Sequence, residues 1–254
     1  MKQFTASIIN NQEIAQGYYQ LDFSWHDNEE PKPGQFFTVK INNNSDPLLR
    51  RPFAFSGYDT KSKTASMIFQ KRGTTTQMMA GKTANETIDI IGPLGNFFPA
   101  IKDQEAPLLI AGGIGLGPIL YLARTLERQK TPYTFLFGAP DKALVPDSKW
   151  FYEAQPIICT DNGSKGFKGN PLQYIESRLQ LEPKHSFYAC GPMGMLKSAA
   201  ALAEKNNLAS YSVMEQMMAC GVGACMGCVI KHKDGLKRVC VDGPVFNSKD
   251  ILWT

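Results

Sequence analysis

Four cysteines near the C-terminus carry the clearest chemistry in the sequence. Cys220, Cys225 and Cys228 follow the pattern Cys-x4-Cys-x2-Cys, and eleven residues separate Cys228 from Cys240. This is the plant-type spacing of a [2Fe–2S] cluster. Four thiolates around ferric iron concentrate negative charge, so the loop must turn backbone N–H groups toward the sulfurs. Gly221, Gly223 and Gly227 permit the close approach and positive φ angles that this requires. Val222, Ala224 and Met226 can shield the metal from water, which tunes a cluster's potential. The competing reading is a structural zinc site, but such sites usually pair two similar Cys-x2-Cys knuckles and this pattern is asymmetric. The chain has six cysteines. Their crowding into one glycine-rich segment favours metal ligation over disulfides. Cys159, in an apolar strand, reads as a core thiol.

Two further segments could hold phosphate. Ala111-Gly112-Gly113-Ile114-Gly115-Leu116-Gly117-Pro118 lies where a strand turns into a helix, so Gly112, Gly113 and Gly115 can bring a pyrophosphate onto N–H groups at the helix's positive end. Pro118 stands where G-x-G-x-x-G has its last glycine, and a tight turn would look similar. Cys190-Gly191-Pro192 forms a second strand-to-helix turn at the carboxyl edge of the same sheet, where open α/β folds bind ligands. Asp141, after the second strand of this half (133–137), is placed either to accept hydrogen bonds from an adenosine ribose, favouring NAD over NADP, or to sit solvated on the surface.

A nicotinamide delivers two electrons as hydride and a [2Fe–2S] cluster accepts one, so a chain with both sites needs a flavin between them. Arg51-Pro52-Phe53-Ala54-Phe55-Ser56 is the candidate strand, with Arg51 pairing the flavin's diphosphate. Gly73-Thr74-Thr75-Thr76 opens a short helix and offers a second phosphate cradle. The plainer alternatives are a surface cation at Arg51 and a helix cap in the Thr run.

The elements that would position these groups fall into two rhythms. Up to about residue 100 come short strands: Lys2–Asn10, Gly17–Phe23, Gln35–Ile41, Pro52–Tyr58, Thr64–Gln70 and Thr87–Ile91. Only Thr75–Ala80 reads as helix among them, which predicts a small antiparallel barrel. After 99–106, strands (107–111, 133–137, 156–160, 186–189, 210–214) alternate with helices (118–129, 171–179, 193–206). That alternation predicts βαβ units and a parallel sheet. The tail is a cysteine loop followed by a hairpin turning at Asp234-Gly235. The expected division is therefore a barrel (1–100), an α/β domain (101–214) and a cluster-binding segment (215–254). The chain has 254 residues, 43% hydrophobic and 20% charged, with net charge +4 spread along its length. Those values predict no nucleic-acid surface. No apolar run approaches the ~20 residues of a membrane span, and the N-terminus has no signal-peptide pattern, so a cytoplasmic location is expected.

With these residues assembled, the chain resembles the electron-transfer subunits of NAD-linked (type B) dihydroorotate dehydrogenases, within the ferredoxin–NADP reductase superfamily. The resemblance covers nearly the whole chain: RPFAFSGYD, GTTTQ, IGPLGNFF, AGGIGLGP, TDNGSKGFKG, ACGPMGML, MACGVGACMGC and RVCVDGPVF. The last two are the most specific. The resemblance implies FAD in the barrel, NAD in the α/β domain and a separate FMN-bearing catalytic subunit that oxidises dihydroorotate, in a heterotetramer with two copies of each. It places FAD contacts on Arg51, Pro52, Phe53, Ala54, Ile68, Phe69, Gln70, Gly73 and Thr74, and Cys190 near the nicotinamide. Ala54 stands where such proteins often have Ser or Thr. Subunits resembling sulfide dehydrogenase or bifurcating ferredoxin–NADP reductase share the plan, but typically replace the first cysteine with Asp, whereas Cys220 is present. An iron–sulfur redox sensor is the reading from another class, and it would not need two phosphate turns and a flavin strand.

Overall fold

The computed structural model describes residues 1–42 and 46–253; Thr254, the end of the expected cluster segment, lies outside them. The first strands are β1 (Lys2–Ala15), β2 (Tyr18–Ser24), β3 (Phe36–Lys40), β4 (Arg51–Ala54), β5 (Gly57–Asp59), β6 (Thr64–Gln70) and β7 (Thr87–Leu94). A short helix, α1 (Thr74–Ala80), follows β6. The strands pair antiparallel in the order β4-β3-β7-β1-β2-β6-β5. The sheet curls until Phe53 of β4 meets the ring of Phe69 of β6 edge-on, centroids 6.2 Å apart. Alternation explains the core: Leu21 and Phe23, Phe37 and Val39, and Ile88 and Ile90 each point inward from one face of their strand. β1 runs past the expected Asn10 because two register shifts let it follow β2 to Ala15.

The expected single strand Pro52–Tyr58 is in fact two. β4 pairs with β3, whereas β5 pairs with β6 at the far edge. The change of partner occurs at two adjacent residues: Phe55 N–H still donates to Gln35 O at 3.3 Å, and Ser56 N–H already donates to Ser66 O at 2.8 Å. Phe55 drops its ring into the barrel core beside Trp25 and Phe37. The apolar run is continuous in sequence, so nothing local marks this corner.

The second half comprises β8 (Ala106–Gly112), α2 (Leu116–Gln129), β9 (Thr134–Ala139), β10 (Ile157–Thr160), β11 (Phe167–Lys168), α3 (Pro171–Arg178), β12 (His185–Cys190), α4 (Met193–Lys205) and β13 (Ala209–Val213). The tail adds β14 (Val229–His232), β15 (Gly235–Arg238) and β16 (Val245–Asn247). The sheet order is β11-β10-β9-β8-β12-β13-β16, parallel except for the last pair. The chain therefore leaves β8 in one direction and returns on its other side at β12, which makes the carboxyl ends of β8 and β12 the switch point. Helix α2 is buried on two sides. Ile119, Leu120, Ala123 and Leu126 pack on the parallel sheet, while Tyr121 reaches the barrel core and donates its hydroxyl to Pro31 O. Helix α3 starts on a capping box in which Asn170 accepts the N–H groups of Leu172 and Gln173, both at 3.0 Å.

Sequence reading missed β11 and β16, two and three residues long. The second matters more, because it returns the tail to the parallel sheet. Behind it a buried hydroxyl from Ser248 meets those of Ser210 and Ser212, each at 2.9 Å.

Candidate metal centre and its neighbouring turns

Residues 214–228 contain no helix or strand. Their path is set by Gly221 at φ +70, Gly223 at φ +85 and Met226 at φ +59. Gly227 is required neither by φ, which is not positive, nor by space, since a methyl group there would lie at an ordinary contact distance of 3.5 Å from Cys225 Sγ. The positive φ falls on Met226 instead. The loop points its amides inward: Cys225 N–H donates to Cys220 Sγ at 3.4 Å, and the N–H groups of Val222 and Ala224 converge on the same sulfur. Burial opposes ionisation of Cys220, but these donors and the Cys225 thiol outweigh it and bring the thiol down to about 6. Cys240 moves the other way, pushed up to about 12 by burial, by its hydrogen bond with Cys228 and by the charge of that group.

The four sulfurs thus fall into two pairs, Cys220 with Cys225 and Cys228 with Cys240, and Cys240 also feels Cys220 across the gap. Among the described residues, no three His, Cys, Asp or Glu side chains surround a point that could hold one metal ion. A tetrahedral zinc needs four ligands around one point. A two-iron rhomb takes two thiolates on each iron, which is the arrangement the pairs offer. Cys228 and Cys240 are buried and Cys225 is exposed, with its chain neighbour Met226 at 52% exposure and Met217, at the start of the loop, at 89%. One side of the centre is therefore rooted in the protein and the other reaches the surface.

The tail is fastened to the barrel. Asn96 donates through Nδ2 to Asp242 O (3.1 Å) and Val245 O (2.8 Å), and its Oδ1 accepts from Val245 N–H at 2.9 Å. On the loop itself, a methyl group on Gly221 would lie 2.8 Å from Thr38 Cγ2. Thr38 is the register partner of Pro52 on β4. The cysteine loop thus abuts β3, the strand paired in the same sheet with the candidate flavin strand. Thr38 Oγ1 is buried without a hydrogen-bond partner in the chain, as is Ser56 Oγ. Neither orphan could be read from sequence, because each depends on what the tail or α2 packs against it.

On the candidate flavin strand, Arg51 Nη1 donates to the carbonyls of Leu49 (2.7 Å) and Arg50 (3.5 Å) and has no carboxylate partner among the described residues. Phe69 is committed to the core, stacked on Tyr19 at 5.5 Å, so only its backbone can meet a ligand. Ile68 and Gln70 flank it on the opposite face. The Thr run does act as a cap: Thr76 Oγ1 accepts from Arg72 N–H (2.9 Å) and Gly73 N–H (3.0 Å). That leaves the N–H of Thr74, not of Gly73, for a phosphate. Ala54 presents no hydroxyl. Ser56, two residues on, does, and it lies against Gly117 at the start of α2.

The two glycine turns touch at the switch point. A methyl group on Gly115 would lie 2.3 Å from the Cys190 carbonyl oxygen, and one on Gly191 would lie 3.0 Å from Gly112 Cα. Gly112 in turn has Met195 Sδ within 2.7 Å of that position. These glycines let two backbone turns pack directly, a use the sequence reading did not assign to them. Gly113, at φ +54, borders only Tyr18 of the barrel. Cys190 ends β12 as a neutral thiol, pushed up to about 12 by burial and then by the Glu215 carboxylate. Asp141 caps a 3-10 turn by accepting from Ala143 N–H at 2.8 Å, which occupies one of its two oxygens. Cys159 is fully buried and pushed up to about 11 by that burial, as a core thiol should be.

Comparison with known proteins follows the same outline. Residues 215–252 match the family described as the iron-sulfur cluster binding domain of dihydroorotate dehydrogenase B. Over 99% of its length the chain is 36% identical to 99% of the dihydroorotate dehydrogenase B (NAD(+)) electron transfer subunit of Geobacillus sp. (strain WCH70). The same subunit of Caldanaerobacter subterraneus subsp. tengcongensis is 32% identical, with 98% of each chain covered. Among solved structures, an NADH-dependent reduced ferredoxin–NADP oxidoreductase superposes with a TM-score of 0.85 at 24% identity, covering 98% of this chain and 90% of that one. Phthalate dioxygenase reductase superposes at 0.64, with 16% identity, over 85% of this chain and 70% of that one. These superpositions establish the ferredoxin–NADP reductase-like fold: an antiparallel sheet unit followed by a parallel α/β sheet, with the cysteine loop near the C-terminus.

Proposed function

The chain belongs to the family of electron-transfer subunits of dihydroorotate dehydrogenase B (NAD(+)), and from that membership we propose how its residues serve the role. It is an oxidoreductase subunit that passes electrons from a dihydroorotate-oxidising partner to NAD+ in pyrimidine biosynthesis, using a [2Fe–2S] cluster and FAD. The partner carries FMN, two copies of each chain assemble into a heterotetramer, and the complex works in the cytoplasm. No helix among the described residues is long and apolar enough to cross a membrane. Full-length relatives favour this reading over a sulfide dehydrogenase-like subunit or a redox sensor, as does Cys220 at the position where the former typically has Asp.

In this reading, residues 1–100 bind FAD, 101–214 bind NAD and 215–254 hold the cluster. Bound FAD supplies the exchange between two-electron and one-electron chemistry. Arg51 and the Thr74 N–H hold its diphosphate, and β4 with Ile68–Gln70 lines its ring. The turns at Gly112–Gly115 and Cys190–Pro192 receive the dinucleotide at the switch point, beside the Ser56 end of the flavin strand. Cys220, Cys225, Cys228 and Cys240 ligate the cluster, and Met226 and Met217 form part of the face that meets the partner, where adaptable apolar side chains suit an interface.

The observation that carries the proposal is the pairing of four thiols two by two, against the strand next to the flavin strand. Metal analysis of the purified complex tests it. About two iron atoms and two acid-labile sulfides per chain are expected for this cluster type. Stoichiometric zinc with iron near zero would refute it.

A further inference from the structure

Arg238 lies outside the ligand set, yet its side chain enters the cysteine loop. From β15 its Nη1 donates to the Gly223 carbonyl at 3.1 Å. Its own N–H and Nε both donate to Asp242 Oδ2, at 2.7 and 3.4 Å, which fixes the side chain from behind. The Gly223 carbonyl and the Ala224 N–H belong to one planar trans peptide and point in opposite directions. Drawing the carbonyl toward Arg238 therefore turns the Ala224 N–H inward, onto the Cys220 sulfur that accepts it. Position 223 has no room for a side chain: a methyl group there would lie 2.5 Å from Val241 Cγ2 and 3.3 Å from Arg238 Nη1.

We propose that Arg238 is a positioning residue that aims the Gly223–Ala224 peptide at the cluster and, as a fixed cation, raises the cluster's reduction potential. The proposal rests on the reading of the four cysteines as [2Fe–2S] ligands. A cluster on four thiolates is an anion, and accepting one electron adds a further negative charge. An inward N–H dipole and a nearby cation stabilise the more negative state more, so they favour that electron's arrival. Hydrogen bonding of the carbonyl to a guanidinium also polarises the peptide, which strengthens its N–H as a donor.

The test compares the full-length, cluster-loaded chain as wild type, Arg238→Lys and Arg238→Gln. EPR-monitored redox titration gives the cluster potential, the visible spectrum gives the FAD potential in the same sample, and bleaching by an iron chelator gives the rate of cluster loss. Arg238→Gln should lower the cluster potential and speed bleaching while the FAD potential stays at its wild-type value. Arg238→Lys should recover part of the potential, because the charge remains. A wild-type cluster potential in Arg238→Gln, a Lys variant no closer to wild type than the Gln variant, or equal shifts at cluster and FAD would each overturn the proposal. Should Arg238→Gln shed its cluster during purification, occupancy restored by Lys supports the proposal and occupancy as poor as that of Gln overturns it. Absence of a reduced-cluster signal from wild type would defeat the ligand reading and the proposal with it, whereas a normal wild-type signal with an unmoved variant defeats the proposal alone.

Discussion

Arg50 and Arg51 are neighbours of one chemical type with different fates. Arg50 pairs with Asp89 at 2.7 Å and also donates to the Asp89 carbonyl at 3.1 Å, so its charge is consumed within the barrel. Arg51 holds only backbone carbonyls and can exchange them for a diphosphate. Arg51→Ala should therefore weaken FAD retention by roughly 1.5–3 kcal/mol, the worth of a charged hydrogen bond, or about one to two decades in affinity. Flavin content after extensive dialysis measures it, and unchanged content would place the diphosphate elsewhere. The cysteines differ just as sharply. In cluster-free protein, Cys220 is brought down to about 6, so its alkylation rate should rise through that pH and level off above it, as the thiolate is the nucleophile. Cys159 and Cys190, held up at about 11 and 12, should remain unmodified at neutral pH. Mass spectrometry of iodoacetamide-treated chain decides this; Cys190 labelling ahead of Cys220 would contradict the pairing of sulfurs described above. The cysteine spacing was legible from sequence alone because ligation to a small cluster is a local constraint. The separate fates of the two arginines were not, because Asp89 reaches Arg50 only once β7 has been placed beside β3.

Elements bear out the two rhythms of the sequence, with a short-strand barrel followed by alternating strands and helices. The errors share one cause. The break within 52–58, the strand at 245–247 and the tight packing of the glycine turns all depend on which distant element comes alongside. Period and turn chemistry report only on neighbours along the chain. The turns give the clearest consequence. Gly115 has no unusual φ, but a side chain there meets the Cys190 backbone, which cannot move as a flexible side chain would. Gly115→Ala should wedge the two turns apart at a cost of about 1–3 kcal/mol, typical of overpacking. It should lower the melting temperature and weaken NADH binding in titrations. Binding and melting both at wild-type values would show that the turns do not meet as described.

At the scale of the whole molecule the three expected sites are joined by direct contacts. Turns at the carboxyl edge of β8 and β12 lie against the Ser56 end of the candidate flavin strand through Gly117. The cysteine loop abuts β3, the strand paired with β4, through Gly221 and Thr38. Asn96 and β16 keep the tail in that position, so the loop is built into the fold rather than appended to it. In the proposed reading, hydride chemistry takes place at the glycine turns and single electrons leave through the exposed side of the cysteine loop, where Cys225 and Met226 reach the surface. The account therefore makes this chain the obligatory link between dihydroorotate oxidation and NAD+. Its most direct test is dihydroorotate-dependent NAD+ reduction by the catalytic partner alone, by this chain alone and by the two together, with NADH-to-dye transfer as the check that this chain is active. The account predicts NADH only from the combination, and dye reduction by this chain with NADH but not with dihydroorotate. NADH formed by the partner alone, or dihydroorotate oxidised by this chain alone, would contradict it.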